Sequence, residues 1–309
     1  MQNLITDVGF GDVKFLSDGI PQKFPTIIIP EPISAGGIDF GENTAQVYEH
    51  GGLRYIAGND AIAAIKAGAE GGNIQRNTTW LVGRMPILTR HAAYLAGVED
   101  MKDASLTIGL PLGDFRALEG RVREVLKPLF ADITVLSQGV GILADHVSRN
   151  EHPGSGTILD IGFGTAIVLT YQDGKPTRAG SQQYAGKGLS EAAKRLKKRI
   201  HSLTGIDIPL PEANTYVVQG GGVFRGNGKE IDLTPHIHEA LGLYTEELVN
   251  LLFSNHDTAL NRENTIILGG GGAYHVERYL NESYDGEIIV PPCPEYANVR
   301  GYGYLICGK

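Results

Sequence analysis

The chain is poor in cysteine, in long apolar runs and in positive charge, and each shortage excludes a class of protein. Its 309 residues include two cysteines, Cys293 and Cys307, too few for a disulfide framework or a zinc cluster. No apolar stretch approaches the roughly 20 residues that a membrane span needs, and the N-terminus does not resemble a signal peptide. The net charge of −8 argues against direct binding to nucleic acid. We therefore expect a soluble, cytoplasmic protein.

Two common phosphate-binding fingerprints are also missing. Gly-x-Gly-x-x-Gly does not occur, and the one Gly-x4-Gly-Lys match, at residues 303–309, has no Ser or Thr after it. These absences disfavour a Walker loop and a dinucleotide-binding fold.

Glycine, in contrast, is abundant. The chain has 42 glycines, about twice the usual share of roughly 7%, and they follow no Gly-X-Y period. This excess indicates many tight turns and close backbone approaches. An apolar content of 42% is sufficient for a hydrophobic core. The length favours two domains or one large one.

A duplicated motif opens each half of the chain. Residues 4–11 read LITDVGFG, and residues 158–164 read ILDIGFG, which places Asp7 and Asp160 153 residues apart. Each copy consists of an apolar run, Asp-x-Gly-Phe-Gly, a second apolar run and an Asp-Gly turn. The pattern predicts a β-hairpin at the start of each half.

The rest of the sequence alternates between strands and helices, as in α/β proteins. Helical periodicity predicts helices over residues 114–126, 188–203, 234–253 and 273–280. Short apolar runs predict strands over residues 133–136 and 266–268, and a short helix is expected near Ile142.

A turn-rich stretch at residues 152–156 predicts the boundary between two domains, 1–152 and 153–309. The segment 24–97 is rich in glycine and short strands, and we interpret it as a subdomain inserted in the first domain rather than as core. A C-terminal helix over about 295–307 is expected to pack back on the first domain.

The hairpin turns could bind a polyphosphate. Peptide N–H groups of a glycine-rich turn form an anion-binding nest, and Asp7 and Asp160 could hold Mg²⁺ through water. Lys14 could add a positive charge near the phosphates. A run of glycines at residues 269–272 opens a helix, where N–H groups favour anions.

These motifs resemble those of the actin-like ATPases, whose ASKHA fold is shared with sugar kinases and heat-shock chaperone ATPases. Residues 7–14, DVGFGDVK, and residues 160–165, DIGFGT, are similar to the two phosphate motifs of that family. Residues 268–274, LGGGGAY, are similar to its adenosine motif. The ending at residues 294–302, PEYANVRGY, is similar to the closing signature of the plasmid-segregating ParM/StbA-like branch.

The resemblance implies an α/β, duplicated, ribonuclease H-like fold of two lobes, with ATP or ADP and Mg²⁺ in a cleft between them. It assigns phosphate binding to Gly9, Phe10, Gly11, Asp12, Lys14, Gly162, Phe163, Gly164 and Thr165. It assigns adenosine binding to Gly186, Lys187, Gly269, Gly270, Gly271, Gly272 and Tyr274. It assigns catalysis to Gln138, Asp7 and Asp160, with Gln138 orienting the attacking water and both carboxylates holding the metal through water.

The function that the resemblance implies is ATP-dependent assembly into head-to-tail filaments, coupled to hydrolysis. A repeated heterologous contact gives an open filament. In this family the filament separates DNA through an adaptor protein, so we expect the chain itself as partner, a DNA-binding adaptor, and a role in plasmid segregation or another cytoskeletal process.

Two alternative functions stay open. One is a small-molecule kinase of the same superfamily, which would need a carboxylate directed at a substrate hydroxyl. The other is a nucleotide-binding scaffold without turnover. This second alternative is favoured by Phe10, where relatives carry Ser or Thr, and by Ile167, where relatives often carry Asp.

Individual residues also have simpler interpretations. Asp7 and Asp160 could cap turns, Lys14 could be an exposed strand lysine, and Gln138 could cap a helix. The glycine run at 269–272 could be only a tight turn. The basic run at 194–199 is interpreted as a solvated helix face, with a subunit contact as the alternative.

Overall fold

The computed structural model of the chain describes residues 2–32, 45–67, 69 and 77–308. The chain divides into two compact units, one formed by Met1–Gly141 with Tyr302–Lys309 and the other by Ile142–Gly301. The domain bounds drawn from the sequence, the inserted subdomain and the packing of residues 295–307 stay predictions. Residues 33–44, 68 and 70–76 of the segment 24–97 lie outside the described residues.

The first unit is built on a mixed sheet. Its strands are β1 (Asn3–Val8), β2 (Asp12–Ser17), β3 (Ile20–Pro25), β4 (Ile28–Pro30), β5 (Val47–His50), β6 (Leu53–Ala57), β7 (Ser105–Leu110) and β8 (Asp132–Ser137). Its helices are α1 (Gly58–Lys66), α2 (Thr78–Leu95) and α3 (Phe115–Leu126), and α4 (Val140–Val147) begins at its end. The main sheet has the order β3-β2-β1-β7-β8, and a smaller sheet has the order β4-β6-β5.

The second unit repeats the main sheet. Its strands are β9 (Gly156–Ile161), β10 (Thr165–Gln172), β11 (Lys175–Pro176), β12 (Gln182–Ala185), β13 (Val223–Gly226), β14 (Lys229–Asp232), β15 (Thr265–Gly269) and β16 (Glu287–Ile289). Its helices are α5 (Ser190–Thr204), α6 (Leu210–Gln219), α7 (Thr234–Glu263) and α8 (Ala273–Ser283), and α9 (Ala297–Cys307) follows a 3-10 turn at Pro294–Tyr296. The sheet order is β11-β10-β9-β15-β16, and β12 also pairs with β10.

The two sheets have the same topology. In each, the opening hairpin is antiparallel, β1 with β2 and β9 with β10, and two parallel strands follow on the other side of the central strand. The second strand of each hairpin is followed by an Asp-Gly turn, at residues 18–19 and 173–174, in which both residues have a positive φ. This arrangement confirms the predicted hairpins and the duplicated, ribonuclease H-like α/β fold.

The core of the first unit corrects one interpretation of the sequence. Leu81, Val82, Met85 and Leu88 of α2 are buried in the same cluster as the main sheet. Part of the segment 24–97 is therefore core. The sequence does not predict helix α2, because most of the helix is buried and it therefore has no clear polar face. Pro86 inside the helix also argues against a helix from the sequence alone.

The predicted helices of the second unit are present, with one difference in length. Helix α5 packs its apolar face, including Leu196 and Ile200, into the unit's core. Helix α7 continues to Glu263, past the predicted end at residue 253, through a non-helical residue at His256. The His256 side chain is buried there, and its Nε2 lies 2.7 Å from the Tyr184 hydroxyl. None of the helices in the described ranges is long and apolar enough to cross a membrane.

Candidate functional site

The first hairpin loop, residues 9–11, is held by its own strands and by Thr26. The Gly9 N–H donates to the Asp12 carbonyl over 3.1 Å, which closes the hairpin. The buried Thr26 donates its hydroxyl to the Gly9 carbonyl, at 2.7 Å, and its N–H to the Gly11 carbonyl, at 2.9 Å. Thr26 is a supporting residue that the sequence motifs did not reveal, since it lies outside them.

The second hairpin loop, residues 162–164, repeats this closure and is supported by a different segment. The Gly162 N–H donates to the Thr165 carbonyl over 2.9 Å. The carbonyls of the loop accept hydrogen bonds from the peptide N–H groups of residues 186, 189 and 190, at 2.8–3.0 Å. An anion nest needs the carbonyls of a turn directed away from the anion, and residues 186–190 hold the carbonyls of this loop in that way.

Gly188 makes this support possible. A Cβ atom at this position would lie 2.6 Å from the carbonyl oxygens of Gly162 and Phe163, so only glycine allows the two backbones to approach. The neighbouring Gly186 and Lys187, which were assigned to adenosine binding, are exposed in the turn before α5. The Lys187 carbonyl accepts a hydrogen bond from the Tyr244 hydroxyl at 2.9 Å.

Asp7 is the last residue but one of the central strand of the first sheet, β1, and is buried. Gln138 follows the outermost strand, β8, and its Nε2 donates to Asp7 Oδ1 over 2.7 Å. Burial raises the pKa of the Asp7 carboxyl, against the opposing effects of Lys14 and of the hydrogen bond from Gln138. The free energy cost of ionising a buried carboxyl is reduced by a nearby cation. A bound metal ion would reduce this cost in the same way.

Lys14 is the cross-strand neighbour of Asp7 in the β1–β2 hairpin. Its Nζ lies 3.5 Å from the Asp12 carbonyl and would be 3.6 Å from a Cβ on Gly9, so the ammonium group sits at the first loop. This position fits the predicted phosphate contact. In the second hairpin the cross-strand neighbour of Asp160 is Ile167. Only the first of the two copies therefore has a lysine opposite its aspartate.

Asp160, like Asp7, accepts a hydrogen bond from a side-chain amide, and the sequence motifs did not reveal this donor. The buried Asn298 of α9 donates from Nδ2 to Asp160 Oδ2 over 2.8 Å. Asn298 belongs to the closing signature at residues 294–302. The resemblance to the ParM/StbA-like branch assigns no role to this side chain. Another signature residue, Arg300, forms a two-point ion pair with the buried Asp145, at 3.0 and 2.8 Å.

The glycine run at 269–272 packs closely on the second hairpin. A Cβ on Gly270, which has a φ of +78°, would lie 2.4 Å from Asp160 Oδ1, and a Cβ on Gly272 would lie 2.3 Å from Ile161 Cγ2. Gly269 is similarly close to Ile142. Gly271 differs, since its nearest neighbour would be the Glu295 Cβ at 3.9 Å. Close packing within the protein therefore explains why three of these positions are glycine. It does not explain the glycine at position 271.

Tyr274 and Phe10 have distinct surroundings. Tyr274, in the first turn of α8, is 54% exposed and donates its hydroxyl to Glu295 Oε2 over 2.6 Å. The Phe10 ring packs against the core of the first unit, and this contact anchors the first loop.

The predicted site residues therefore form two groups. In the first unit the loop at 9–12 lies with Asp7, Lys14 and Gln138. In the second, the loop at 162–165 lies with Asp160, residues 186–189 and the glycine run at 269–272. Their roles in binding and catalysis stay predictions.

Each hairpin has one buried carboxylate, Asp7 or Asp160, of the kind that can hold magnesium through water. In the described part of the chain no group of three or more His, Cys, Asp or Glu side chains is arranged to hold a metal. Mg²⁺ commonly keeps several waters and binds through one or two carboxylates and substrate phosphates. The buried carboxylates Asp7 and Asp160 are suited to that mode.

Two family models match the chain. Residues 6–141 match the N-terminal domain of actin-like proteins, and residues 158–282 match the C-terminal domain of the archaeal MreB-like actin homologues. Together the matches span most of the chain, and the chain belongs to the actin-like proteins. No protein with a curated description matches it in sequence.

Solved structures show the same fold. An archaeal actin homologue in complex with ADP is 20% identical, with a TM-score of 0.80 over 100% of both chains. A 15-stranded ParM filament from Clostridium botulinum is 18% identical, with a TM-score of 0.79 over 100% of both chains. A double-helical MamK filament is 15% identical, with a TM-score of 0.73 over 98% of both chains. The predicted resemblance to ParM-like actins is confirmed.

Proposed function

We propose that this actin-like protein binds Mg-ATP, assembles into filaments and hydrolyses the nucleotide. The observation that carries the proposal is the duplicated arrangement of a glycine-rich hairpin loop beside a buried aspartate that accepts an amide hydrogen bond. Support for a nucleotide comes from the archaeal homologue that binds ADP.

The hairpin loops bind the phosphates in this proposal. Their peptide N–H groups form the nests, and Lys14 adds a compact positive charge at the first loop. A bound Mg²⁺ would neutralise charge on the phosphates, and Asp7 and Asp160 would hold it through water. The second loop keeps its shape through residues 186–190, so little reorganisation is needed when an anion binds.

Gln138 orients the attacking water. Its Nε2 donates to Asp7, so its Oε1, which can only accept hydrogen bonds, is the atom that would accept a hydrogen bond from the water. Positioning and charge stabilisation supply most of the catalysis in phosphoryl transfer, so a fixed side-chain amide is sufficient for this role.

The partner that we favour is a second copy of the same chain. The solved relatives include ParM and MamK filaments, and a head-to-tail contact repeated along one direction gives an open filament. The net charge of −8 disfavours direct contact with DNA. Segregation of plasmid or other DNA would therefore use a separate, DNA-binding adaptor, and a different cytoskeletal role is the alternative.

A second candidate is a nucleotide-binding scaffold without turnover. Ile167 favours it, because it stands opposite Asp160 at the position that Lys14 occupies opposite Asp7. The second loop therefore lacks the positive charge that the first loop has at this position.

Sedimentation with phosphate release tests both candidates. Purified protein is centrifuged after incubation with Mg-ATP, with Mg-ADP or without nucleotide, and phosphate is measured in the same tubes. The proposal expects a pellet that depends on Mg-ATP, and phosphate that follows it. Bound nucleotide without phosphate would favour the scaffold, and protein that stays in the supernatant at every concentration would contradict filament formation.

A further inference from the structure

Asn298 is a buried polar residue that the proposed site does not yet use. It lies in the first turn of α9, its side chain is 5% exposed, and its Nδ2 donates to Asp160 Oδ2 over 2.8 Å. Asp160 is itself 6% exposed. A hydrogen bond between two buried groups, formed across 138 residues of sequence, fixes both side chains.

The first unit contains the same arrangement. Gln138 donates to Asp7 over 2.7 Å, as Asn298 donates to Asp160. In both sheets the acceptor is the last residue but one of the central strand. The donor comes after the outermost parallel strand, directly after β8 for Gln138 and in the helix after β16 for Asn298. The duplication therefore gives each hairpin carboxylate one buried carboxamide donor. Such a pair is difficult to explain by packing alone, because the two donors differ in length and lie in different local structures.

A carboxamide suits the task of orienting a carboxylate. It donates a hydrogen bond without titrating and without adding a positive charge. Asp160 is also confined at its other oxygen, since Gly270 approaches so closely that a Cβ there would be 2.4 Å from Oδ1. The side chain is thus fixed at both oxygens, by an amide on one side and by glycine backbone on the other.

We propose that Asn298 is a positioning residue that holds Asp160 in the orientation needed by the water ligands of a magnesium–nucleotide complex. The inference rests on the proposed function, because it assumes that Asp160 faces the metal's water shell. Groups that orient a metal-binding side chain from behind commonly change metal affinity or activity by about 10- to 100-fold when they are removed.

A purely structural role makes a different prediction. If Asn298 only attached α9 to the sheet, its removal would lower the stability of the protein and would weaken nucleotide binding equally with and without metal. A positioning role instead affects the part of the affinity that depends on Mg²⁺. The ratio of the ADP dissociation constant in EDTA to that in Mg²⁺ separates the two roles.

The experiment measures this ratio by calorimetry for wild type, Asn298→Ala and Asn298→Leu, beside the free energy of unfolding without nucleotide. Asn298→Leu keeps a similar side-chain volume, removes the donor and adds no charge, so it is informative if the alanine variant folds poorly. Leu305→Ala, at an exposed position of the same helix, is the control. We expect the ratio to fall about tenfold in both Asn298 variants, with the dissociation constant in EDTA within about twofold of wild type.

The other outcomes would overturn either the positioning role of Asn298 or the proposed function itself. An unchanged ratio in folded Asn298 variants, with Mg²⁺-dependent binding in wild type, overturns the positioning role and leaves the proposed function standing. Equal weakening in EDTA and in Mg²⁺ assigns Asn298 a structural role only. A wild-type protein that binds ADP equally well with and without Mg²⁺ overturns the proposed function, and the inference with it.

Discussion

Gln138 and Asp7 are joined by a buried hydrogen bond of 2.7 Å, although 131 residues separate them in sequence. The bond links the two residues to which catalysis was assigned in the first unit. It fixes the amide of Gln138, so that the carbonyl end of this side chain is presented as an acceptor.

Replacing Gln138 tests its role in orienting water. Gln138→Ala should lower the rate of phosphate release roughly 100-fold, because a misplaced nucleophile loses the advantage of a bound geometry. ADP affinity measured in EDTA should stay within about twofold of wild type, since Gln138 contacts Asp7, which acts on the nucleotide through the metal. Single-turnover phosphate release measures the rate, and Ser137→Ala is the neighbouring control. A loss of less than about twofold would exclude Gln138 from catalysis.

Asp7 should reduce the stability of the nucleotide-free protein. Its pKa is raised above the ordinary value of 3.8 because it is buried, so its ionised form costs free energy in the folded state. This cost is absent well below pH 3.8, grows as pH rises towards the folded-state pKa, and is complete above that pKa.

Asp7→Asn should therefore raise the free energy of unfolding relative to wild type at pH 7.5, and the gain should shrink as pH falls towards 4. Urea denaturation without nucleotide or metal measures it at both pH values. Asp18→Asn, in the exposed β2–β3 turn, is the control. An asparagine variant that is less stable than wild type at pH 7.5 would contradict this account of Asp7.

The hairpins were the best predicted part of the fold, because Asp-x-Gly-Phe-Gly between apolar runs specifies a strand, a turn and a strand locally. The helices α3, α5 and α8 were predicted because each has one apolar face, which gives a helical period in the sequence. Helix α2 was missed because most of it is buried. The contacts of Thr26 and Asn298 could not be predicted, because they join segments far apart in sequence and depend on the folded topology.

The glycine run at 269–272 allows folding and ligand contact to be separated. Gly270→Ala should cost roughly 1–3 kcal/mol of stability, because its Cβ would clash with Asp160 and with the Ile161 carbonyl, and its φ is positive. Gly271→Ala should leave stability nearly unchanged, because a Cβ there would lie 3.9 Å from the Glu295 Cβ, its nearest contact among the described residues apart from its chain neighbours.

If the backbone at Gly271 contacts the nucleoside, Gly271→Ala should lower ADP affinity roughly tenfold, about 1.4 kcal/mol. Thermal unfolding and calorimetry measure the two effects. Normal ADP affinity in the Gly271 variant would indicate that the run serves only as a tight turn.

Gly188 should be among the least replaceable glycines of the second unit. Gly188→Ala should destabilise the protein by about 1–3 kcal/mol, because its Cβ would lie 2.6 Å from three backbone atoms of the second loop. Gly120→Ala, on α3, should be neutral or stabilising, because a Cβ there would meet no described residue within 4 Å outside the backbone of its own helix turn. Urea denaturation compares the two variants. Equal stabilities would show that the second loop is not held rigidly by residues 186–190.

The central claim is that this actin-like protein hydrolyses ATP with the help of its buried hairpin carboxylates. Phosphate release from Mg-ATP, followed in wild type and in Asp160→Asn under filament-forming conditions, tests it most directly. The account predicts steady release by wild type and a rate roughly 100-fold lower in the variant, with Asp18→Asn equal to wild type. Release at the same rate in wild type and Asp160→Asn, or no release by wild type in the presence of bound ATP, would contradict it.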